Sequence, residues 1–344
     1  SELNVGHAYY REAPLDRGPS RPVGLLGCRF QIQDDSIVIS KIWQGGVWDT
    51  DARNGLISAG VQEGDVLVSV EGVAVDASQS PYKHFMNKLG RPVSIEVKTG
   101  DDEPRSVVVR PSGSDSQLRF WDGIEAVRSY VDRKSKGTVG YIYVTNTGIN
   151  GQNDLFRQFY SQQEKDALII DDRWNGGGQI PTRFIELLNR PATNYWARRD
   201  GTDWVWPPDS HQGPKCMLIN GLAGSGGDMF PGLFKQMKLG KLIGRRTWGG
   251  LVGIQGEPPM IDGSSVTAPS FAYYETDGTW GIEGHGVDPD IEVIDDPAKM
   301  VAGGDPQLDV AIETMLEEIK EYPKQPKRPA YPDRSGMGIA ESDK

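Results

Sequence analysis

Residues 21 to about 112 alternate apolar and polar positions with a period of two, which is typical of half-buried β-strands. Four short runs have this alternation or a high β content: residues 37–39, 66–68, 93–97 and 107–109. Turn residues separate the runs, and one helical stretch fits Tyr82–Leu89. Taken as a whole, the region is expected to hold five short strands, these four among them, with one or two helices. Such a set predicts a small β-barrel or sandwich.

Residues 117–322 have a different pattern, in which near-continuous apolar runs alternate with helical periodicity. The predicted strands are 139–144, 167–171 and 216–220, and the predicted helices are 121–133, 154–162, 182–188 and 228–237. Such a rhythm favours parallel strands buried under helices. A last helix is predicted at 306–319, with Asp305 as N-cap and Pro306 at its first position.

Two shifts in composition indicate domain boundaries. One is the polar stretch 111–116, and the other is a Pro/Lys-rich tail that begins at Pro323. The predicted organisation is an N-terminal segment 1–20, a β domain 21–112, a βα domain 117–322 and a tail 323–344.

Composition and charge narrow the classes of function. The 344 residues are 37% apolar and 25% charged, which is typical of a soluble globular protein, and no apolar run is long enough to span a bilayer. A net charge of −11 with no basic stripe argues against nucleic-acid binding. The first residues are polar and unlike a signal peptide, and the absence of an initiator Met suggests a fragment of a longer chain.

Cysteine and histidine usage predicts no metal site. Cys28 and Cys216 lie in apolar strand-like runs, which favours two buried thiols in a reducing compartment over a disulfide or a metal pair. The four histidines are scattered and form no metal-binding spacing.

The first candidate for chemistry is Ser225, in a small-residue turn between a predicted strand and a predicted helix. A helix N-terminus behind such a serine offers backbone N–H groups to a developing oxyanion. The turn resembles a nucleophile elbow only in part, because Ala223 occupies the first glycine position of the GxSxG motif. The local motif leaves a plain N-cap role for Ser225 equally open.

Three other segments are ambiguous when each is considered alone. The DDRWNGGG stretch at 171–178 fits a plain loop as well as an anion-binding one. The acidic segment 281–293, with Glu283 and His285, fits a turn before a strand. His7, near the start of the chain, fits a solvated or packing histidine.

Together these segments resemble a known family. The stretches ELN-x-x-HAY, DDRWNGGG, AGSGGD, LGKLIGRRTWGGLVGI and EGHGVDPDIEV are similar to the catalytic half of the tricorn-type peptidases, within the tail-specific (C-terminal processing) serine peptidases. The likeness extends to about residue 322, and residues 59–72 resemble the PDZ signature. The resemblance implies an α/β fold in which a PDZ-like β module precedes a crotonase/ClpP-like βα peptidase domain.

The resemblance also implies roles for individual residues. Ser225 matches the nucleophile and His7 the general base. Gly178 and the N–H of Gly226 match the oxyanion donors, and Glu283 matches the carboxylate that completes the charge network. The implied chemistry is peptide hydrolysis through an acyl-enzyme, with no metal or organic cofactor.

Several positions depart from the family pattern. Gly6 replaces a serine that links the base to the glutamate, and Trp196 falls where an aspartate favours cleavage after basic residues. We therefore predict Trp196 as a substrate-binding residue with an apolar or mixed preference. Gly250 stands where relatives with a Ser–Lys dyad carry the lysine, which supports His7 as the base and leaves His285 in reserve.

The implied protein is a cytoplasmic, homo-oligomeric enzyme that hydrolyses peptides or oligopeptides, with no nucleic-acid or membrane partner. A catalytically impaired, PDZ-containing peptide-binding protein is the main alternative, and Gly6 favours it. An acyl-CoA enzyme would need an adenine-binding face and an acidic pair, which the sequence does not suggest. An α/β-hydrolase esterase would need an aspartate before its histidine, whereas Asp288 and Asp290 follow His285.

Overall fold

The computed structural model describes residues 6–13, 21–46, 53–179, 181–331 and 342. Contacts divide the chain into two compact units. The antiparallel-sheet unit contains described residues of 11–130 together with 259–265. The parallel-sheet unit contains described residues up to 10, those of 131–258 and those from 266 onward.

The strands are short and follow one another in this order: β1 (Tyr10–Arg11), β2 (Cys28–Gln33), β3 (Ser36–Ile42), β4 (Val66–Val70), β5 (Val73–Ala74), β6 (Val93–Lys98), β7 (Arg105–Val109), β8 (Val139–Tyr143), β9 (Ala167–Asp171), β10 (Asn194–Trp196), β11 (Trp204–Trp206), β12 (Lys215–Ile219), β13 (Lys241–Gly244), β14 (Gly253–Ile254), β15 (Ser265–Val266), β16 (Pro269–Phe271) and β17 (Ile291–Glu292).

The helices are α1 (Gly55–Ser58), α2 (Ser116–Ser135), α3 (Ile149–Gln162), α4 (Pro181–Leu188), α5 (Gly226–Gln236), α6 (Pro297–Val301) and α7 (Pro306–Glu321), with a 3₁₀ turn at Pro81–Phe85. In the residues that the structure describes, no helix combines the length and the apolar character needed to cross a membrane.

In the antiparallel-sheet unit, one sheet has the strand order β2-β3-β4-β6-β7, and β5 pairs with β4. Strand β6 shows why the sequence forms this sheet: Val93, Ile95 and Val97 are buried, while Ser94 and Glu96 face solvent. The alternation of apolar and polar residues therefore sets the face that packs into the core, and each of the four predicted runs lies in a strand.

In the parallel-sheet unit, five parallel strands lie in the order β17-β13-β12-β9-β8. All residues of β9 and of β12 are buried, as expected for interior strands of a parallel sheet. Helices α4 and α5 contribute Phe184 and Phe230 to the core, with ring centroids 5.4 Å apart. The predicted βα rhythm is confirmed.

The bounds of two helical elements can be compared with the bounds that the sequence predicts. Helix α7 begins as predicted, because the carboxylate of Asp305 accepts from Leu308 N at 3.1 Å and Pro306 occupies the first position. The helical stretch predicted at 82–89 is only the 3₁₀ turn at Pro81–Phe85.

Both cysteines are buried and unbridged, as predicted. Burial, with a smaller contribution from the nearby Asp115 charge, raises the pKa of the Cys28 thiol to about 12. Cys216 lies within β12, and burial raises the pKa of its thiol as well. Neither thiol therefore has the thiolate character that reactive cysteines require.

Candidate active site

The loops that could carry chemistry meet at one edge of the parallel sheet. Strands β8, β9, β12 and β13 are consecutive parallel neighbours, so their carboxyl ends lie side by side. The loops that follow these strands contain, in the same order, Thr147, Gly178, Ser225 and Trp248. The sheet thus brings together residues far apart in the sequence.

Ser225 is the N-cap of helix α5 and has a strained backbone, with φ 57° and ψ −113°. Its N–H donates to Asp228 Oδ2 at 2.8 Å, and Asp228 N donates to Ser225 O at 2.9 Å. A strained serine between a buried strand and a helix is the geometry of a nucleophile elbow. The serine is therefore in a position where its hydroxyl can be presented at the sheet edge.

The carboxylate of Asp228 joins this elbow to the loop after β13. Besides Ser225 N, it accepts from Gly249 N at 2.7 Å and from Gly250 N at 3.1 Å. Burial raises the pKa of Asp228, while hydrogen bonds from the Thr247 hydroxyl and from these amides oppose the increase. The backbone of Gly250 thus helps to anchor this loop to the elbow.

Two backbone amides beside Ser225 are free to bind an anion. Within the described residues, neither Gly178 N nor Gly226 N donates a hydrogen bond. A Cβ built on Gly226 would lie 2.8 Å from Gly178 N, so the two residues are close together. Gly226 also begins α5, where the helix dipole adds positive potential. The pair has the composition and placement of an oxyanion hole.

Glycine is required at both of these positions. Gly178 has φ 151°, and a Cβ there would lie 2.3 Å from Gly148 N. A Cβ on Gly226 would lie 1.9 Å from the hydroxyl oxygen of Thr147, which is buried and has no hydrogen-bond partner in the described part of the chain. Any larger residue would therefore push the two loops apart.

Asn175 connects the glycine loop to the elbow. Its Oδ1 accepts from Gly177 N at 2.8 Å, and its carbonyl accepts from Gly224 N at 3.1 Å. Its Nδ2 donates to Asp172 Oδ1 at 2.7 Å. The side chain of Asn175 thus fixes the backbone of the glycine loop, and its carbonyl joins that loop to the residue before Ser225.

A buried ion-pair network supports the start of the same loop. The guanidinium of Arg173 binds both oxygens of Asp171, at 2.9 and 2.7 Å, and also binds Asp305 Oδ1 at 2.9 Å. Tyr141 donates to Asp171 Oδ2 at 2.8 Å. The end of β9 is therefore tied to the N-terminus of α7 by charge-assisted bonds.

The raised pKa of Asp172 leads to a testable prediction about stability. Burial raises its pKa well above the usual value, the charges of Asp171 and Asp228 add to the increase, and the Asn175 bond opposes it. Because the folded state holds this proton more tightly, Asp172 lowers stability progressively as pH rises above the unfolded pKa of about 4. We expect Asp172→Asn to increase the free energy of unfolding at pH 8 and to have little effect near pH 4.

Urea unfolding of the wild type and Asp172→Asn between pH 4 and pH 8 measures this difference. Asp172→Ala is the matched control, because it removes the acceptor of Asn175 Nδ2 as well as the charge. A loss of stability in Asp172→Asn that grows with pH would contradict the assignment.

His7 lies near the elbow, on a segment fixed by its backbone. Its carbonyl accepts from Thr267 Oγ1 at 2.7 Å, and its own φ is 59°. Its ring centroid is 5.5 Å from that of Trp248, and Trp248 packs over Gly224. His7 Nδ1 is buried and has no partner, and no hydrogen bond joins His7 to Ser225 in the described residues.

Glu283 occupies the space next to Gly6. Its Oε2 accepts from Leu251 N at 2.5 Å and from Val252 N at 2.8 Å. Its Oε1 lies 2.9 Å from where a Cβ on Gly6 would be. The carboxylate therefore borders the residue before His7, and the missing serine side chain leaves it room to do so.

The remaining predicted residues lie elsewhere. His285 Nε2 is 2.7 Å from Asp288 Oδ2, in an exposed pair that also involves Arg246, so the structure does not place it at the elbow. The aromatic contacts of Trp196 are with Trp204 and Trp206, on one face of the β10–β11 hairpin, and its role stays a prediction.

A cavity of about 760 Å³ is lined by Tyr195, His211, Tyr322 and others, and its lining includes none of the predicted catalytic residues. In the part of the chain that the structure describes, no group of three or more His, Cys, Asp or Glu could hold a metal ion.

Sequence reasoning did not identify Asp228, Asn175, Thr147 or Trp248. A signal existed for Asp228, since a serine followed three residues later by an acidic residue resembles a capping box. Asn175, Thr147 and Trp248 could not be recognised in this way, because the residues that they contact in the site lie on different loops.

Comparison with known proteins identifies two domains in the chain. Residues 138–293 match Peptidase family S41, and residues 24–114 match the Tricorn protease PDZ domain. The chain therefore contains a peptidase family S41 domain, preceded along the sequence by a Tricorn protease PDZ domain. The S41 match contains Ser225, Gly178, Gly226 and Glu283, whereas His7 precedes both matched ranges.

The relatives of this chain include tricorn proteases. It is 34% identical to "Tricorn protease" of Thermoplasma acidophilum, over 96% of this chain and 31% of the relative. It is 35% identical to "Tricorn protease homolog" of Saccharolobus solfataricus, over 92% of this chain and 30% of the relative. The crystal structure of the tricorn protease matches with a TM-score of 0.87 and 34% identity, over 93% of this chain and 31% of that one. The chain thus spans about a third of the length of these relatives.

Proposed function

We propose that this chain hydrolyses peptide bonds through an acyl-enzyme on Ser225, with His7 as general base. One observation carries the proposal: a strained serine lies beside two free backbone amides, those of Gly178 and Gly226, at the start of a helix. Free amides at this point can stabilise the oxyanion of acyl transfer. Similarity to tricorn proteases over most of the chain supports the same chemistry.

The proposed reaction has two steps. His7 takes the proton of Ser225 Oγ as this oxygen attacks the substrate carbonyl carbon, and then gives the proton to the leaving amine. Gly178 N and Gly226 N donate to the carbonyl oxygen while it is negatively charged. A water molecule, deprotonated by His7, then releases the acid product and restores Ser225.

The proposed role of Glu283 gives a prediction. We expect Glu283→Ala to lower kcat by at least about tenfold, toward the roughly 10⁴-fold loss seen when a triad loses its orienting carboxylate. The substitution removes the acceptor of two backbone amides and the charge beside Gly6. Steady-state kinetics on a peptide substrate measures the change.

Glu283→Gln is the matched control, because it keeps an acceptor oxygen for the amides but removes the charge. A kcat that recovers in Glu283→Gln would assign the role to backbone positioning. Full activity in Glu283→Ala would contradict any role of Glu283 in the site.

A mixture of unstructured oligopeptides, analysed by mass spectrometry, tests the proposed activity. We expect new termini in the wild type and none in Ser225→Ala. Intact peptides in both samples would overturn the proposal. The residues found before each new cleavage point also test Trp196: an apolar or mixed preference that changes in Trp196→Asp would support its contact with substrate.

We also propose that the enzyme is cytoplasmic and homo-oligomeric, on the basis of its similarity to tricorn proteases. Light scattering on the purified chain measures its mass directly. A monomer at micromolar concentration would contradict the oligomer proposal without affecting the chemistry.

A second candidate is a peptide-binding protein with an impaired site. It is favoured by the environment of the base, since Glu283 binds backbone amides and His7 Nδ1 has no partner among the described residues. Binding of peptides by Ser225→Ala and the wild type with equal affinity, together with no hydrolysis by either, would support this candidate.

A further inference from the structure

Trp248 presents an aromatic surface beside both His7 and the elbow. Its ring centroid lies 5.5 Å from that of His7, with the planes tilted by 54°. A Cβ on Gly224 would be 2.6 Å from Trp248 Cε3, so the indole lies directly against the residue before Ser225. Trp248 N donates to Ala223 O at 2.9 Å, and 47% of the residue is exposed. The indole is therefore fixed in place but open to a ligand.

Trp248 is a direct neighbour of the proposed base, His7. The free amides are at Gly178 and Gly226, and Gly226 follows Ser225, whereas Trp248 contacts Gly224 and His7. A base that protonates the leaving amine must lie close to that nitrogen. A surface in contact with the base is then close to the residue attached to the leaving nitrogen.

The chemistry of this surface is apolar. The carboxylate of Asp228 accepts from three backbone amides, and Glu283 Oε2 accepts from two. A half-exposed indole gains most by covering its face with another apolar group.

We propose that Trp248 forms a wall of the subsite for the substrate residue on the amine side of the scissile bond, and that this subsite prefers apolar side chains. The inference rests on the proposed acyl-enzyme on Ser225. It makes Trp248 a specificity-determining residue, distinct from the groups that move protons or hold the oxyanion.

Partition of the acyl-enzyme tests this subsite in isolation. The enzyme is acylated with an activated peptide ester, and glycine amide, leucine amide or aspartate amide is added to compete with water. The amine nitrogen attacks the acyl carbon and gives a proton to His7. The peptide bond forms as the ester bond to Ser225 Oγ breaks, and Ser225 Oγ takes the proton from His7. The ratio of aminolysis to hydrolysis then depends on binding at the amine-side subsite and not on the acylation step.

In the wild type we expect leucine amide to exceed glycine amide about tenfold in this ratio, the discrimination that small apolar differences give in a pocket. Trp248→Ala should bring the two amides close to equality, and Trp248→Phe should keep most of the preference. Tyr160→Ala, which removes a 51% exposed aromatic ring on α3, is the matched control and should leave the ratio unchanged.

Equal partition among the amides in the wild type would overturn the inference, even if Trp248→Ala did not fold. A preference for leucine amide that survives in folded Trp248→Ala would also overturn it, as would an effect confined to side chains on the acyl side of the substrate. Failure of the wild type to form any acyl-enzyme would instead overturn the proposed function, and this inference with it.

Discussion

Ser225→Ala is expected to lower kcat for peptide hydrolysis by about 10⁶-fold, the loss found when a serine peptidase loses its nucleophile. The substitution removes the only hydroxyl that the proposed reaction acylates, while leaving the backbone of the elbow in place. Its N–H still donates to Asp228, and the amides of Gly178 and Gly226 are unchanged. Single-turnover and steady-state assays with a fluorogenic peptide measure the loss.

Thermal unfolding of the same variant separates chemistry from folding. We expect Tm to remain close to that of the wild type, because Ser225→Ala keeps the hydrogen bonds of Ser225 N and Ser225 O. Substantial hydrolysis by a pure, folded Ser225→Ala preparation would show that another group carries the reaction.

His7→Ala is expected to lower kcat by about 10⁴- to 10⁶-fold, because Ser225 would lose its proton acceptor and the leaving amine its proton donor. The backbone contact between His7 O and Thr267 does not depend on the imidazole, so the segment can keep its place. Added imidazole should restore part of the activity, which a purely structural role of His7 would not allow.

The matched control for His7 is His285→Ala. His285 is paired with Asp288 at the surface, so its loss should leave kcat unchanged. A large loss of kcat in His285→Ala, together with normal activity in His7→Ala, would show that His285 and not His7 is the general base.

Much of the fold could be predicted because the order of apolar and polar residues within a short segment indicates which of them are buried. Val93, Ile95 and Val97 alternate with polar residues and form one buried face of a strand. The unbroken apolar run of β9 indicates a strand covered on both sides, and it lies inside a parallel sheet. In both cases, residues adjacent in the sequence are enough to predict the strand and the faces that it buries.

The site could be predicted only in part, because its geometry depends on residues that are distant in the sequence. Ser225 stands out through its turn, but the roles of Asn175 and Trp248 arise from contacts with loops about 25 to 50 residues away. The β10–β11 hairpin, with its tryptophan face, was also not foreseen, since its strands have only three residues each.

Gly6, the residue before His7, departs from the family pattern, and the structure shows which group lies beside it. From the sequence, Gly6 only indicates that a linking side chain is missing. In the structure, Oε1 of Glu283 lies 2.9 Å from the position that a Cβ on Gly6 would occupy. The carboxylate and the base segment are therefore adjacent without the link.

The most direct test of an activated serine at this elbow is covalent labelling with a fluorophosphonate probe, followed by peptide mapping with mass spectrometry. We expect labelling at Ser225 in the wild type, much slower labelling in His7→Ala and none in Ser225→Ala. No labelling of the folded wild type, under conditions in which a control serine peptidase reacts, would contradict the proposed mechanism. Labelling at a different residue would contradict it equally.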